Sequence, residues 1–246
     1  INNIKIIAKP NYKFGKRKPF KTLIGRNIQE LIKILKNLIN SPENIIFQEY
    51  IEGNESDVWV SLGYRSKRTK DVVLMTAVKH IMFPSEGGVM AIGKTKYSRE
   101  IDNLSNVLLK EYNYFGIFGF EFKYSKKYKK FYYIEMSPRT EGFHNITKLV
   151  NIDLPWIAYQ DIIDNIDINK INSNYISSKY WINIRYLFES IYISKSIFNI
   201  KKLIFPLIMA REWQHFSLDD LKPCFYANWW FLKKMLKKIK MKIKYV

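Results

Sequence analysis

The chain has 246 residues, 47% of them hydrophobic, so it is long enough to bury a globular core and is not a disordered sequence. Lysine and arginine number 41 against 22 acidic residues, and the formal net charge of +19 favours anionic partners such as nucleotides, nucleic acids, anionic glycans or lipid headgroups. The single cysteine excludes an internal disulfide framework and a zinc site made of cysteines alone. No signal peptide opens the sequence and no uncharged apolar run reaches about 18 residues, so a cytoplasmic location is the default expectation.

The first elements are a strand, a basic loop and a helix. Ile4 to Lys9 predicts a strand that stops at Pro10, and a basic loop with one glycine, Gly15, follows from Asn11 to Lys21. A helix is predicted from Asn27, a capping residue, to Asn40. Its apolar stripe, which we expect to be core, consists of Ile28, Leu31, Ile32, Leu35, Leu38 and Ile39.

The middle of the chain predicts mainly strands. Ile45 to Ile51 is a strand that ends in the acidic turn Glu52 to Glu55. Further strands are predicted at Asp57–Gly63, Val72–His80 and Val89–Thr95, and a helix from Ser98 to Tyr112. Three cations of this region are candidates to meet a carboxylate or phosphate, although ordinary surface positions explain them as well: Lys79, Lys94 and Arg99.

The stretch from Gly116 to Arg139 predicts two strands joined by a lysine-rich turn. Its first strand alternates Phe118, Phe120 and Phe122 with Gly119, Glu121 and Lys123. A hairpin symmetric about Tyr128 places Glu121 opposite Glu135, with Cβ atoms about 5 Å apart. Two carboxylates at this distance repel each other unless one is protonated or a cation such as Mg²⁺ lies between them. An exposed hairpin whose glutamates point to water explains the spacing equally well.

These motifs resemble a known family. A glutamate inside GFEFK, followed by a second inside IEMSPR, is similar to the metal-binding core of the ATP-grasp ligases. In that family two acidic residues and an asparagine hold Mg²⁺ against the nucleotide phosphates. The resemblance therefore implies Glu121, Glu135 and Ser137 as metal ligands, with the serine standing where asparagine is usual. The segment Phe83–Gly88 and the residues around Asp219 resemble predicted carboxylate–amine ligases of the same superfamily.

The resemblance also implies the nucleotide contacts. Lys9 would reach the phosphates, and Arg139 would lie near the phosphates or the acyl intermediate. Glu55 would accept hydrogen bonds from the ribose hydroxyls, a role that suits a carboxylate. The adenine edge would be recognised by the backbone of Gln48, Glu49, Tyr50 and Ile51. The loop from Asn11 to Lys21 would cover the phosphates.

The implied fold is the α+β ATP-grasp fold, with antiparallel sheets and packed helices in two lobes, the first of them incomplete. We expect the remainder of the N-terminal lobe at residues 1–48, the C-terminal lobe with the metal site at 49–165 and an extension at 166–246. Because the chain begins at Ile1 without methionine, we expect it to be a fragment that binds Mg-ATP weakly and has negligible activity until the upstream sequence is restored.

The implied activity is that of an ATP-dependent ligase that forms C–N bonds. It would use ATP with Mg²⁺, or Mn²⁺ in its place, to convert a carboxylate into an acylphosphate that an amine or thiol attacks. The implied partners are a small-molecule carboxylate and an amine, with no nucleic acid. The oligomeric state stays open.

Two other interpretations of function stay open. One is a non-catalytic basic module that binds nucleic acid or another polyanion through the lysines and tyrosines between Tyr124 and Tyr133. The other is a degenerate ATP-grasp scaffold, which the serine at position 137 favours.

The C-terminal sequence predicts a basic amphipathic helix. From Trp229 to Val246, apolar residues recur at helical spacing among lysines. Such a helix fits either docking on its own domain or peripheral contact with an anionic membrane.

Overall fold

A computed structural model of the chain describes residues 4–11, 20, 22–38, 45–84, 87–171, 173, 175, 178–187, 189, 204–229 and 233. The chain divides into two compact units, Ile1–Gly53 and Asn54–Val246. Most of the predicted basic loop, and the predicted C-terminal helix beyond Trp229 apart from Lys233, lie outside the described residues. The predicted domain boundaries at 48/49 and 165/166 stay a prediction.

The first unit contains a small antiparallel sheet and one helix. Its strands are β1 (Ile6–Pro10), β2 (Leu23–Gly25) and β3 (Ile45–Glu49), in the order β2-β1-β3. The helix α1 (Ile28–Lys36) begins as predicted after Asn27, whose side chain accepts a hydrogen bond from the backbone N–H of Glu30 at 2.9 Å.

The apolar stripe of α1 is only partly core. Leu31 and Leu35 are buried against Ala8 and Ile45, whereas Ile28, Ile32 and Leu38 are respectively 37%, 42% and 49% exposed. The prediction that the whole stripe is buried was therefore wrong for these three residues, and Ile39 lies outside the described ranges. A sheet of three short strands covers only one row of helix residues spaced four apart, here Leu31 and Leu35, so the residues on either side of that row stay in contact with solvent.

The second unit is organised around a seven-stranded sheet within the described residues. Its strands are β4 (Val58–Arg65), β5 (Val72–Phe83), β6 (Val89–Thr95), β7 (Gly116–Ser125), β8 (Lys130–Ser137), β9 (Tyr180–Ile182) and β10 (Ala210–Trp213). They lie in the order β10-β9-β6-β5-β4-β7-β8, and all neighbours are antiparallel except the parallel pair β9 and β10. β4 is buried along its full length, as its central position requires.

Helices cover both faces of this sheet. The helix α2 (Arg99–Glu111), capped by Ser98, buries Ile101 and Leu109 against one face together with Trp59 and the phenylalanines of β7. On the other face, α3 (Leu154–Ile162) and the 3-10 helix His144–Val150 pack on the side chains of β4 and β5. No helix within the described ranges combines the length and apolarity needed to cross a membrane.

The segment after Arg139 forms the 3-10 helix His144–Val150. It ends at Asn151, which adopts a left-handed conformation with φ 64°. Asparagine tolerates this conformation better than most residues. The chain therefore turns there before α3 begins.

Candidate functional site

The two glutamates of the hairpin face each other. β7 and β8 pair antiparallel, with Glu121 opposite Glu135, so the predicted facing pair is confirmed. The register shifts directly beyond this pair, because Phe122 lies opposite Tyr133 and Ile134 forms a β-bulge. The bulge, rather than simple symmetry about the turn, therefore places the second carboxylate opposite the first.

The alternation along β7 separates two surfaces of the sheet. Phe118, Phe120 and Phe122 are almost fully buried in the core beneath α2. The side chain of Glu121 points to the opposite face, because successive residues of a strand alternate in direction. A small open pocket lies on that face. Its lining includes the apolar Val60, Leu62 and Phe143 and the polar Glu121, Glu135, Ser137 and Glu141.

A buried lysine contacts the first glutamate. The Nζ atom of Lys79, on β5, lies 2.5 Å from Oε2 of Glu121, and the two side chains are 5% and 24% exposed. The same Nζ lies 6.0 Å from the ring centroid of Phe143. A buried ammonium is costly unless it is paired, so the ion pair holds Lys79 at the pocket.

The end of β8 and the loop after it carry further polar groups of the site. Ser137 lies opposite Gly119 in the sheet. The exposed Arg139 donates from Nη1 to the carbonyl oxygen of Thr140 at 2.9 Å and to Oε2 of Glu141 at 3.3 Å. A Cβ atom on Gly119 would lie 3.2 Å from Cγ of Glu141. The glycine of the GFEFK motif therefore makes room for this glutamate.

Asn145 ties the end of this loop to the C-terminal strands. Its Oδ1 accepts a hydrogen bond from Nε1 of Trp181 at 2.7 Å. Its Nδ2 donates to Oε1 of Glu212 at 3.1 Å and to the carbonyl oxygen of Trp213 at 3.2 Å. Burial raises the pKa of Glu212, and the Asn145 hydrogen bond and the charge of Lys148 partly offset that rise. β9 and β10 thus hold the segment that follows the glutamate motif.

The predicted phosphate and adenine contacts lie in the first unit. Lys9 is on β1 opposite Ile46, and Gln48 and Glu49 are on β3 opposite Ile7 and Ile6. Beyond the strand, the N–H of Tyr50 donates to the carbonyl oxygen of Lys5 at 2.8 Å, and Ile51 is buried. The structure thus places these five residues on two paired strands and their continuation.

The predicted ribose ligand, Glu55, lies in the second unit. It opens the 3-10 helix Glu55–Asp57, and its Oε2 accepts a hydrogen bond from the backbone N–H of Met82 at 3.3 Å. This bond ties the acidic turn to the end of β5.

Several solved structures resemble this chain. The biotin carboxylase domain of Hydrogenobacter thermophilus 2-oxoglutarate carboxylase, described with MgADP, ADP and bicarbonate, has a TM-score of 0.56 at 17% identity, over 73% of this chain and 41% of that chain. Rhizobium etli pyruvate carboxylase has a TM-score of 0.55 at 16% identity, over 71% of this chain and 17% of that chain. An N5-carboxyaminoimidazole ribonucleotide synthetase in complex with ADP has a TM-score of 0.52 at 14% identity, over 73% of this chain and 46% of that chain. No protein-family model and no curated protein matches the sequence.

These neighbours are ATP-grasp enzymes. The chain has the ATP-grasp fold. The resemblance predicted from GFEFK and IEMSPR is thereby confirmed at the level of the fold, as is the α+β class. The chain spans less than half the length of each of these neighbours.

Within the ATP-grasp fold, sequence reasoning undervalued Lys79 and missed Glu141. Lys79 was one of three equivalent candidates, but the structure pairs it with Glu121. Lys94 instead lies 5.5 Å from the ring of Tyr180, and Arg99 is exposed on α2, on the other face of the sheet from the pocket. The signal for Lys79 was its position in a mostly apolar strand, where a buried lysine needs a partner.

Proposed function

We propose that the chain is the nucleotide-binding part of an ATP-dependent ligase that activates a carboxylate as an acylphosphate for attack by an amine or thiol. The observation that carries this proposal is the pair Glu121 and Glu135, which face each other at one pocket of an ATP-grasp fold. The MgADP and bicarbonate of one structural neighbour and the ADP of another support the proposed nucleotide and substrate class.

The oxygen donors of the pocket fit Mg²⁺. This ion commonly takes one or two protein carboxylates and completes its coordination with waters and substrate phosphates. Glu121 and Glu135 would hold it, and Ser137 offers a hydroxyl oxygen from the end of the same strand. The described residues contain no group of three or more His, Cys, Asp or Glu arranged to hold a metal, and a site of two carboxylates does not require one. When bound, the metal neutralises charge on the transferring phosphoryl group.

The positive charges of the chain would complete the chemistry. Lys79 is a cation beside Glu121, and its side chain is only 5% exposed, which strengthens its electrostatic effect. Arg139 would orient the phosphates or the acyl intermediate. Lys9 would contact the phosphates. The proposed chemistry requires no side-chain nucleophile, because the carboxylate of the substrate attacks the γ-phosphorus, ADP leaves, and the amine then displaces phosphate.

The remaining nucleotide contacts are part of the same proposal. The backbone from Gln48 to Ile51 would recognise the adenine edge, and Glu55 would accept hydrogen bonds from the ribose hydroxyls. The hydrogen bond from Met82 to Glu55 orients that carboxylate in advance.

Thermal unfolding with and without Mg-ATP tests the proposal. At ligand about a hundredfold above its dissociation constant, binding should add about 2.7 kcal/mol to the free energy of unfolding. Glu121→Gln and Glu135→Gln should each lose most of this gain, because they remove a metal ligand at nearly constant shape. The control Glu111→Gln, exposed on α2, should keep it.

An unchanged gain in both site variants would refute the metal assignment. Stabilisation by heparin or DNA, with none by Mg-ATP, would favour the polyanion-binding alternative. ATP-dependent phosphate release would then identify the substrates if it is screened over carboxylates and amines with a chain that spans the full length of the structural neighbours. Glu135→Gln should abolish this release.

A further inference from the structure

Exposed apolar side chains are concentrated in the C-terminal part of the second unit. We name residues 204–229 the C-terminal apolar stretch. Its large exposed side chains, from 41% to 83% accessible, are Ile204, Phe205, Ile208, Met209, Phe216, Leu218, Leu221, Phe225, Tyr226 and Trp229. Single exposed apolar residues are ordinary on protein surfaces, but such a concentration marks an interaction site.

The helical segment at 222–229 has its large residues on the outside. Cys224, Ala227 and Asn228 share one face and are half-buried, and Nδ2 of Asn228 donates to Sγ of Cys224 at 3.3 Å. Phe225, Tyr226 and Trp229 are 71%, 74% and 58% exposed. An amphipathic helix docked on its own domain would bury the large residues and expose the small and polar ones. The arrangement here is the reverse.

The helical segment at 204–209 repeats this arrangement. Pro206 is buried and Leu207 packs on the core of β6 and β9, whereas Ile204, Phe205 and Ile208 are about half exposed or more. Both segments therefore leave large apolar side chains exposed to solvent.

Basic residues accompany the apolar faces. The exposed Lys222 and Lys233 flank the second segment, and Nζ of Lys233 lies 5.4 Å from the ring of Trp229. From Leu221 to Val246 the sequence contains many lysines and neither aspartate nor glutamate. Asp219 and Asp220 stand immediately before this run.

We propose that the C-terminal apolar stretch is a membrane-docking surface that binds the headgroup region of a bilayer containing anionic lipid. Tyrosine and tryptophan suit this region because each has an apolar ring and a polar edge. Lysines extend their ammonium groups to the lipid phosphates while their methylenes lie along apolar surface. A protein partner would need no such excess of positive charge, whereas an anionic bilayer complements it. The inference does not depend on the proposed ligase activity.

Vesicle co-sedimentation of the full chain tests this surface. The probes are phosphatidylcholine vesicles and mixed vesicles of phosphatidylcholine and phosphatidylserine in equal parts. The chain should sediment with the mixed vesicles at low salt, bind the neutral ones much more weakly, and lose binding as salt rises. The triple variant Phe225→Ser, Tyr226→Ser, Trp229→Ser should lose about tenfold or more in affinity for mixed vesicles, because interfacial binding scales with buried apolar area.

The matched control is the pair Trp156→Ser, Tyr159→Ser on α3, whose side chains are 57% and 53% exposed. This variant should bind as the unaltered chain does. The single variant Trp229→Ser, with a smaller loss, replaces the triple variant if the latter fails to fold.

Three outcomes would overturn the proposal. The first is that the unaltered chain fails to sediment with mixed vesicles. The second is that the variants at 225–229 bind these vesicles normally, and the third is that the α3 control loses binding to the same extent. Self-association without lipid that disappears in the triple variant would assign the surface to a second copy of the chain instead.

Discussion

At the scale of single residues, Lys79 and Glu121 form a largely buried ion pair at the candidate site. The two side chains are separated by 42 residues in sequence, yet their charged atoms are 2.5 Å apart. The ammonium balances one of the two facing carboxylates, and Glu135 is exposed enough to be screened by water. The pocket therefore tolerates two glutamates on neighbouring strands.

Glu212 provides a pH-dependent test at the same scale. Burial raises the pKa of its carboxyl above the usual 4.5, so the folded chain binds the proton more tightly than the unfolded chain does. Stability is therefore lost as pH rises from 4.5 through the folded pKa. Glu212→Gln removes the charge and keeps an oxygen for Nδ2 of Asn145.

We expect the melting temperature of Glu212→Gln to exceed that of the unaltered chain at neutral pH. The difference should vanish in acid below the ordinary glutamate value of 4.5. Melting curves over this pH range measure it. A variant that is less stable at neutral pH would show that the charge of Lys148 outweighs the cost of burial.

At the scale of elements, the β7–β8 hairpin shows how a bulge sets a site. From the turn at 126–129 outward, the strands pair Ser125 with Lys130 and continue to Phe122 with Tyr133. Without the bulge at Ile134, continuation of that register would place Ile134 opposite Glu121. The extra residue instead brings Glu135 there, which shows why such irregularities recur near functional sites.

Arg65 supports the C-terminal end of α2. Its Nη1 donates to the carbonyl oxygen of Leu109 at 2.7 Å and to that of Tyr114 at 3.3 Å. Its guanidinium also lies 4.6 Å from the ring centroid of Phe115. The last carbonyls of a helix lack partners within the helix, so a buried cation there is stabilising.

Arg65→Met keeps the aliphatic stem and removes these donors, and should lower the free energy of unfolding by about 2 kcal/mol. Urea unfolding measures the loss. Arg99→Met, at the exposed N-terminal end of the same helix, should change stability by less than about 0.5 kcal/mol. Equal effects of the two substitutions would contradict a specific role for Arg65 at the helix end.

At the scale of the whole molecule, the net charge of +19 produces repulsion among the basic side chains. Salt screens interactions between exposed charges, with a Debye length of about 10 Å at about 0.1 M. We therefore expect the melting temperature to rise as sodium chloride increases from low to physiological concentration. A melting temperature that falls over this range would show that favourable ion pairs outweigh the net repulsion.

Local sequence patterns determined several strands and helices of this protein and the residue types of its glutamate motifs. β6 spans the predicted residues Val89–Thr95, and α2 begins after its capping Ser98. The facing of Glu121 and Glu135 was predicted from hairpin symmetry about Tyr128, whereas the structure reaches it through the bulge at Ile134. The strand β6 and the start of α2 depend on residues within a few positions of one another, where backbone propensity and side-chain period act directly.

Only the tertiary structure decided which distant residues meet. It placed Lys79 at Glu121, joined β9 and β10 to the main sheet and left three of the five described residues of the predicted α1 stripe exposed. Strand order, bulges and burial depend on how separated segments pack together, and many partners are compatible with one local pattern. The partner that a buried lysine contacts, and the part of a helix that a small sheet covers, are therefore decided only by the folded structure.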